Sequence, residues 1–474
     1  MKEIVYQMLP RLWGSGKFSS IDTGSLEYIK GLGADYIWYT GIIRHATRWG
    51  SHPDKVVKGD AGSPYAITDY YDVNPYLADN SRRRMQEFLE LVERTHKAGM
   101  KVIIDFVPNH VARENVNLGK EDNSSVHWAP ENDFYYYPGQ ELKLPSSACK
   151  GYKEFPARAS GNAFTPEPGV NDWWETVRIN YCDFHTRTWD KMYEIVRFWA
   201  LKGVDGFRCD MVEMVPPEFM KWLIARIKQE FPGIIFIAEV YEEEKYRLYS
   251  NEVGFDLLYD KTGMYDSLRA ITCQGLSARL ITWNWQFLGD LQPRMLNFLE
   301  NHDEQRVASA FFCGSPQAGY AALAVSLLWN TAPFMLYFGQ EVGERGMQQE
   351  GFSGLDGRTS IFDWCNVPAF QHPDKKVLAR YRELLHLSKK PAFASGKSFD
   401  LCYCQDGAFN PDLHFAWLRS DGTSTWLLAA NFGPEAEITL RIPPEALQHF
   451  GIKAVRTVYT LSVPSKDYAI IKVD

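Results

Sequence analysis

An α/β fold is what this 474-residue sequence predicts: a closed (β/α)8 TIM barrel with an inserted subdomain after its third strand and an antiparallel β-sandwich at its C-terminal end. Three observations lead there. Short apolar runs alternate with helical patterns through most of the chain, the mark of a parallel α/β architecture. That alternation is interrupted between Val107 and Thr188 by about 80 residues rich in Asn, Pro, Gly and aromatics, too long for a plain connection. From about Ser395 onward the pattern changes to short strands between turn signals.

Eight runs read as barrel strands: Ile4 to Leu9, Tyr36 to Ile42, Lys101 to Val107, Val204 to Asp210, Ile234 to Val240, Phe255 to Tyr259, Met295 to Leu299 and Pro333 to Phe338. Helical patterns separate them. Ser81 to Lys97 is capped by Asn80 or Ser81 and stopped by Gly99, and Pro217 to Phe231 carries proline near its start, where the missing N–H costs nothing. The tail reads as strands over Leu401 to Cys404, Leu413 to Leu418, Thr425 to Asn431, Glu437 to Ile442 and Ala469 to Val473. The expected divisions are residues 1–110 and 172–394 for the barrel, 111–171 for the insert and 395–474 for the sandwich.

Composition narrows the function. Hydrophobic residues at 45% and charged ones at 23% are ordinary for a globular protein, and no apolar run approaches the roughly 18 residues of a membrane span. A net charge of −8 without a basic block argues against nucleic acid and leaves a neutral ligand as the simplest partner. Aromatic residues make up 14% of the chain, and Trp and Tyr faces stack on the C–H faces of sugars. The eight cysteines lack metal-type spacing, so free thiols are expected rather than a zinc site or a disulfide framework. Met1 leads almost directly into Ile4 to Leu9, leaving no room for a signal peptide. A cytoplasmic protein is the expectation; an exported one shorn of its signal would read the same.

Chemistry concentrates at strand ends. With a strand's period of two, Arg208 and Asp210 share one face while Phe207 and Cys209 take the other. A permanent cation beside Asp210 favours its ionised form, which suits a nucleophile. Barrel enzymes place their catalytic groups at the C-terminal ends of strands. Asp105, Asp210 and Glu239 all fall there.

Region by region the chain resembles the α-amylase superfamily, the retaining glycosidases and transglycosidases of glycoside hydrolase family 13. Asp105-Phe-Val-Pro-Asn109-His110 resembles its first signature and Gly206 to Asp210 its second. Phe236-Ile-Ala-Glu239-Val resembles the third, and Phe298-Leu-Glu-Asn-His302-Asp303 the fourth. The resemblance implies Asp210 as nucleophile, Glu239 as general acid/base and Asp303 as the carboxylate that binds substrate hydroxyls. It implies His110 and His302 as donors to a sugar in the first subsite, with Tyr65 stacked beneath it. Arg208 and Asp105 belong to the same substrate-binding set. Glu167-Pro-Gly-Val-Asn171 resembles a weak fifth signature, bringing Asn171 and Trp173, with Trp174 beside them, towards substrate or making the tryptophans anchors of the insert. Asn109 matches a residue that ligates calcium in many members, so a structural calcium is an open expectation; no cofactor is needed for the chemistry.

Two departures bear on specificity. Glu213-Met214 stands where many α-amylases carry Lys-His, and Met211 follows the nucleophile where α-1,4-specific members carry a small residue. The expected activity is hydrolysis of α-glucosidic bonds, α-1,4 foremost, in malto-oligosaccharides or starch fragments. Transglycosylation, α-1,6 or sucrose specificity, and a non-catalytic glycan-binding barrel are the competing readings. Arg44 to His52 has no counterpart in the family and reads as rim or solvated loop.

Overall fold

The computed structural model describes residues 2–49, 56–146, 148, 151–346, 355–452 and 456–473. All eight expected runs form strands: β1 (Ile4–Met8), β2 (Tyr36–Tyr39), β3 (Lys101–Phe106), β4 (Gly206–Cys209), β5 (Ile235–Ala238), β6 (Leu257–Tyr259), β7 (Met295–Phe298) and β8 (Phe334–Tyr337). They pair in chain order, all parallel, and β8 closes on β1 through Ile4 opposite Phe334. Near-continuous burial of these strands is what a parallel sheet covered by helices requires.

Among the helices outside the strands, α1 (Thr23–Gly31) starts where the Asp22 side chain accepts the Ser25 N–H at 2.8 Å. The expected helix from Ser81 begins as a single tight turn, with Asn80 Oδ1 accepting the Arg82 N–H, before α2 (Arg84–Lys97). It ends before Gly99, whose φ of +74° would strain any side chain. The fourth strand is followed by α3 (Pro217–Glu230), with proline in its first turn.

Register places the site. Arg208 on β4 lies opposite Asp105 on β3 and Ile237 on β5, so inward groups from three strands meet. Asp210 continues the ladder past β4 through its N–H to Phe106 O, as Glu239 does past β5 through its N–H to Cys209 O.

The segment after β3 pairs His110–Ala112 with Thr176–Arg178 and carries a short ribbon, Tyr136–Tyr137 with Ala157–Arg158. Buried Arg113 and half-buried Arg158 clamp Glu154 at its centre. The C-terminal unit is a four-stranded antiparallel sheet of β9 (Lys397–Asp400), β10 (His414–Ser420), β11 (Thr425–Asn431) and β14 (Tyr468–Lys472), with a hairpin of β12 (Ala436–Arg441) and β13 (Val458–Val463). Leu418, Leu427, Ile438 and Val463 form its core. Leu401 to Cys404 is a tight turn rather than a strand, because Asp400 Oδ1 accepts the Cys402 N–H at 2.8 Å and turns the chain. The strand lies just before it, and Val458–Val463 was not anticipated.

Among the described residues no helix is long and apolar enough to cross a membrane, and the seven described cysteines are free. In the stretch from Arg44, His45 is fully buried, taking hydrogen bonds with Asn74 Nδ2 at 2.7 Å and Tyr76 Oη at 3.0 Å. Gly50, Ser51 and His52 lie outside the described residues.

Candidate active site

A cavity of about 390 Å³ opens at the C-terminal ends of the barrel strands, within the size range of small-molecule sites. Asp210, Glu239 and Asp303 line it, together with Tyr65, His110 and Trp173. Arg208, Asp105 and His302 are buried and hold the wall groups from behind. Asn171 is exposed and outside the lining. Trp174 is buried; Lys58 Nζ sits 5.5 Å from its ring, and its carbonyl accepts Arg113 Nε at 2.6 Å, so it anchors the insert.

Arg208 is the electrostatic centre. Its Nη1 donates to Asp210 Oδ1 at 2.7 Å, as the alternation of strand faces required. Its Nη2 lies 2.7 Å from Glu239 Oε1, an ion pair off the line of a hydrogen bond, and Nη1 lies 3.6 Å from Asp105. Rings of Trp38, Tyr65 and Tyr259 surround the guanidinium at 5.3 to 5.5 Å. The cation therefore serves the candidate nucleophile and the candidate acid/base alike, which strand periodicity could not reveal.

One cation cannot keep four neighbouring carboxylates ionised in a dry environment. Burial raises Asp210 and Glu239 above their ordinary values, with Arg208 opposing in both cases. Burial lifts Asp105 to about 7 against the pull of Arg208. Asp303 reaches about 8, through burial first and then the charge of Glu239. Its side chain is 38% exposed, but that exposure is to the cavity it lines, so it gains little of bulk water's screening.

Each carboxylate has a distinct setting. Asp210 Oδ2 has no hydrogen-bond partner within the protein, leaving one oxygen for a ligand. Glu239 accepts the Met211 N–H on Oε2 at 2.8 Å and the Tyr241 hydroxyl on Oε1 at 2.6 Å. To present that N–H, Met211 adopts φ 45° and ψ 44°, a left-handed conformation that costs a non-glycine residue about 1–2 kcal/mol. Asp105 accepts Trp38 Nε1 at 3.1 Å and the Tyr65 hydroxyl at 3.3 Å.

Both histidines are neutral. Burial and the nearby Arg178 hold His110 down at about 3; burial and Arg208 hold His302 well below its ordinary value. Gln7 Nε2 donates to His302 Nδ1 at 2.8 Å, so Nε2 carries the proton and faces Asp303 Oδ2 at 3.0 Å and the Tyr65 hydroxyl. His110 Nδ1 accepts Asn109 Nδ2 at 3.1 Å, and its ring packs against Trp173.

The surroundings of Asn109 do not fit calcium, which takes six to eight oxygen ligands with carboxylates among them. Asn109 Nδ2 donates to Gly161 O at 3.0 Å and its Oδ1 is unpartnered. The Arg178 guanidinium already occupies the neighbouring carbonyls, reaching Met214 O at 2.8 Å and Gly161 O at 3.4 Å. A side-chain cation thus joins the insert to the turn after β4. Among the described residues no group of three or more His, Cys, Asp or Glu could hold a metal ion.

Several lining residues escaped the sequence reading. Lys58 and Glu175 form a buried pair at 3.1 Å in the cavity wall, and Ile361 and Phe362 close the wall from the loop after β8. No local pattern distinguishes these. Tyr241 could have been found, since it stands two residues after Glu239 at the end of the same run.

Comparison with known proteins gives a consistent picture. The family model for the α-amylase catalytic domain matches residues 14–364. The chain is 24% identical to α-amylase 3 of Dictyoglomus thermophilum over 78% of its own length and 73% of that protein's. It is 28% identical to an oligo-1,6-glucosidase of Parageobacillus thermoglucosidasius over 45% of its length, spanning 35% of that relative. The native debranching enzyme of Nostoc punctiforme superposes with a TM-score of 0.72 at 19% identity, covering 99% of this chain and 97% of that one.

Proposed function

The chain belongs to the α-amylase family of glycoside hydrolases, and from that premise we propose that it cleaves α-glucosidic bonds, α-1,4 foremost, in malto-oligosaccharides through a covalent glycosyl-enzyme intermediate. The carrying observation is buried Arg208, which sits 2.7 Å from both Asp210 and Glu239 where these two carboxyl groups line one cavity. Retaining cleavage needs one carboxylate to attack and another carboxyl to protonate the departing oxygen.

In this reading Asp210 Oδ2 attacks the anomeric carbon as Glu239 gives its proton to the leaving oxygen. Glu239 then takes a proton from the water that releases the sugar. Burial and the charge of Asp210 favour a protonated Glu239 at the start, and its proton, once given up, leaves an anion stabilised by the Met211 N–H, the Tyr241 hydroxyl and Arg208. Asp303 and His110 offer an acceptor and a donor to sugar hydroxyls, with Tyr65 and Trp173 as apolar faces and His302 holding Asp303 and the Tyr65 hydroxyl from behind.

A second reading, α-1,6 cleavage, is favoured by one observation: Met211 lines the cavity beside the nucleophile, where a bulky side chain restricts the leaving sugar's approach. Hydrolysis of maltotriose, isomaltose and sucrose separates the two. For the mechanism, proton NMR of the first-formed product is expected to show the α-anomer, with Asp210→Asn and Glu239→Gln both deficient. An initial β-anomer refutes it.

A further inference from the structure

Glu213 lies three residues beyond Asp210, in the turn Val212–Met214, and is absent from the cavity lining. Both its oxygens are committed elsewhere. Oε2 accepts the Tyr241 N–H at 3.0 Å and Oε1 the Glu242 N–H at 3.1 Å, the peptide groups that follow Glu239 as the chain leaves β5. Bonds also run the other way: the Met211 N–H reaches Glu239 Oε2, and the hydroxyl of Tyr241, whose N–H Glu213 holds, reaches Glu239 Oε1. The turn carrying Glu213 is itself pinned, since Val212 O accepts the Tyr249 hydroxyl at 3.1 Å and Met214 O accepts Arg178.

We propose that Glu213 is a positioning residue for proton transfer by Glu239: by holding two consecutive peptide N–H groups it fixes the loop after β5, and with it the Tyr241 hydroxyl that aims the Glu239 carboxyl at the leaving oxygen. The inference rests on the reading of Glu239 as the acid/base. As the glycosidic C–O bond breaks, the bond from Asp210 to the anomeric carbon forms and the Glu239 proton goes to the departing oxygen; the Tyr241 proton stays on its phenol throughout. A carboxylate suits the task because it accepts at both oxygens, whereas an amide accepts at one and turns an NH2 towards the other N–H. This accounts for glutamate in the turn after the nucleophile without any contact to substrate.

Leaving-group dependence separates this role from a general structural one. Cleavage of maltotriose expels a sugar oxygen that needs a proton, whereas α-maltosyl fluoride expels fluoride, which does not. In the full chain, Glu213→Ala and the volume-preserving Glu213→Gln are expected to lower kcat/KM on maltotriose by about tenfold, a fraction of the 10²–10⁴ that general acid catalysis contributes. On α-maltosyl fluoride both should stay within about twofold of wild type, by the same reasoning. Equal losses on the two substrates, or no loss on either, overturn the inference, and the Gln variant decides if the Ala variant does not fold. Glu239→Gln run alongside keeps the premise separate: if its kcat/KM, which reports bond breaking and not the later attack of water, falls equally on both substrates, the acid/base reading of Glu239 has failed rather than the role of Glu213.

Discussion

Replacing Arg208 with methionine tests the electrostatic account of the site most directly. The substitution keeps a long apolar stem among Trp38, Tyr65 and Tyr259 but removes the charge 2.7 Å from both Asp210 and Glu239. An arginine beside a carboxylate lowers its pKa by about 1–3 units, so both groups should rise by that much, about 1.4–4 kcal/mol each. The proposed mechanism has Asp210 ionised and Glu239 protonated, so the acidic and basic limbs of kcat/KM against pH should move up together by about 1–3 units. On the acidic limb the loss should then reach about 10- to 1,000-fold. Stability follows the same sign. A carboxyl whose folded pKa lies above its unfolded value binds an extra proton when folded, so its contribution is lost as pH rises between the two values. Asp105 at about 7 and Asp303 at about 8 already act this way in the wild type, both lowered by Arg208. The melting temperature of Arg208→Met should therefore go on falling above about pH 7 to 8, where the wild-type contributions of these two groups level off. The assays are a pH series of kcat/KM on an aryl α-maltoside and thermal melts in the same buffers. A uniform rate loss with both limbs unmoved would refute the reasoning and make Arg208 a packing residue.

Three further outcomes are expected. Arg178→Met should cost about 1.5–3 kcal/mol, the worth of hydrogen bonds to a charged group, while calcium and chelator leave the wild-type melting temperature unchanged; a rise with calcium would contradict a guanidinium in the cation's place. Tyr241→Phe removes a donor that favours the ionised form of Glu239, so the basic limb of kcat/KM should move to higher pH, and an unmoved limb would show that the bond carries no weight. Because Glu213 lies outside the cavity lining with its oxygens turned to backbone N–H groups, no leaving-side sugar contact is expected from it, and kcat/KM should rise little from maltotriose to maltoheptaose. A steep rise, with rapid loss of iodine staining of amylose at low reducing-sugar release, would sink that expectation.

Period-two alternation placed Arg208 and Asp210 on one face, and their contact at 2.7 Å follows from two residues of one extended run, β4 and its continuation. The eight apolar runs specified eight barrel strands for the same reason: burial on both faces needs only a short unbroken run, a local property. The tail was read less well. Asp400 capping the Cys402 N–H replaced a strand by a turn, a choice between two uses of one backbone group that hydrophobic pattern does not record.

What the chain determined by itself was thus the alternation, the strand-end carboxylates and the residue types available to the site. Only the closed barrel decided which of them share a charge: Glu239 meets Arg208 from the neighbouring strand, Gln7 reaches His302 across 295 positions, and Lys58 finds Glu175. The paths of two loops made Glu213 a cap on the backbone after Glu239 and gave Arg178 the carbonyls of Gly161 and Met214. Periodicity is written in neighbouring residues, whereas the partner of a buried charge or a peptide N–H is set by strand register and loop path, which exist only once distant segments have packed together.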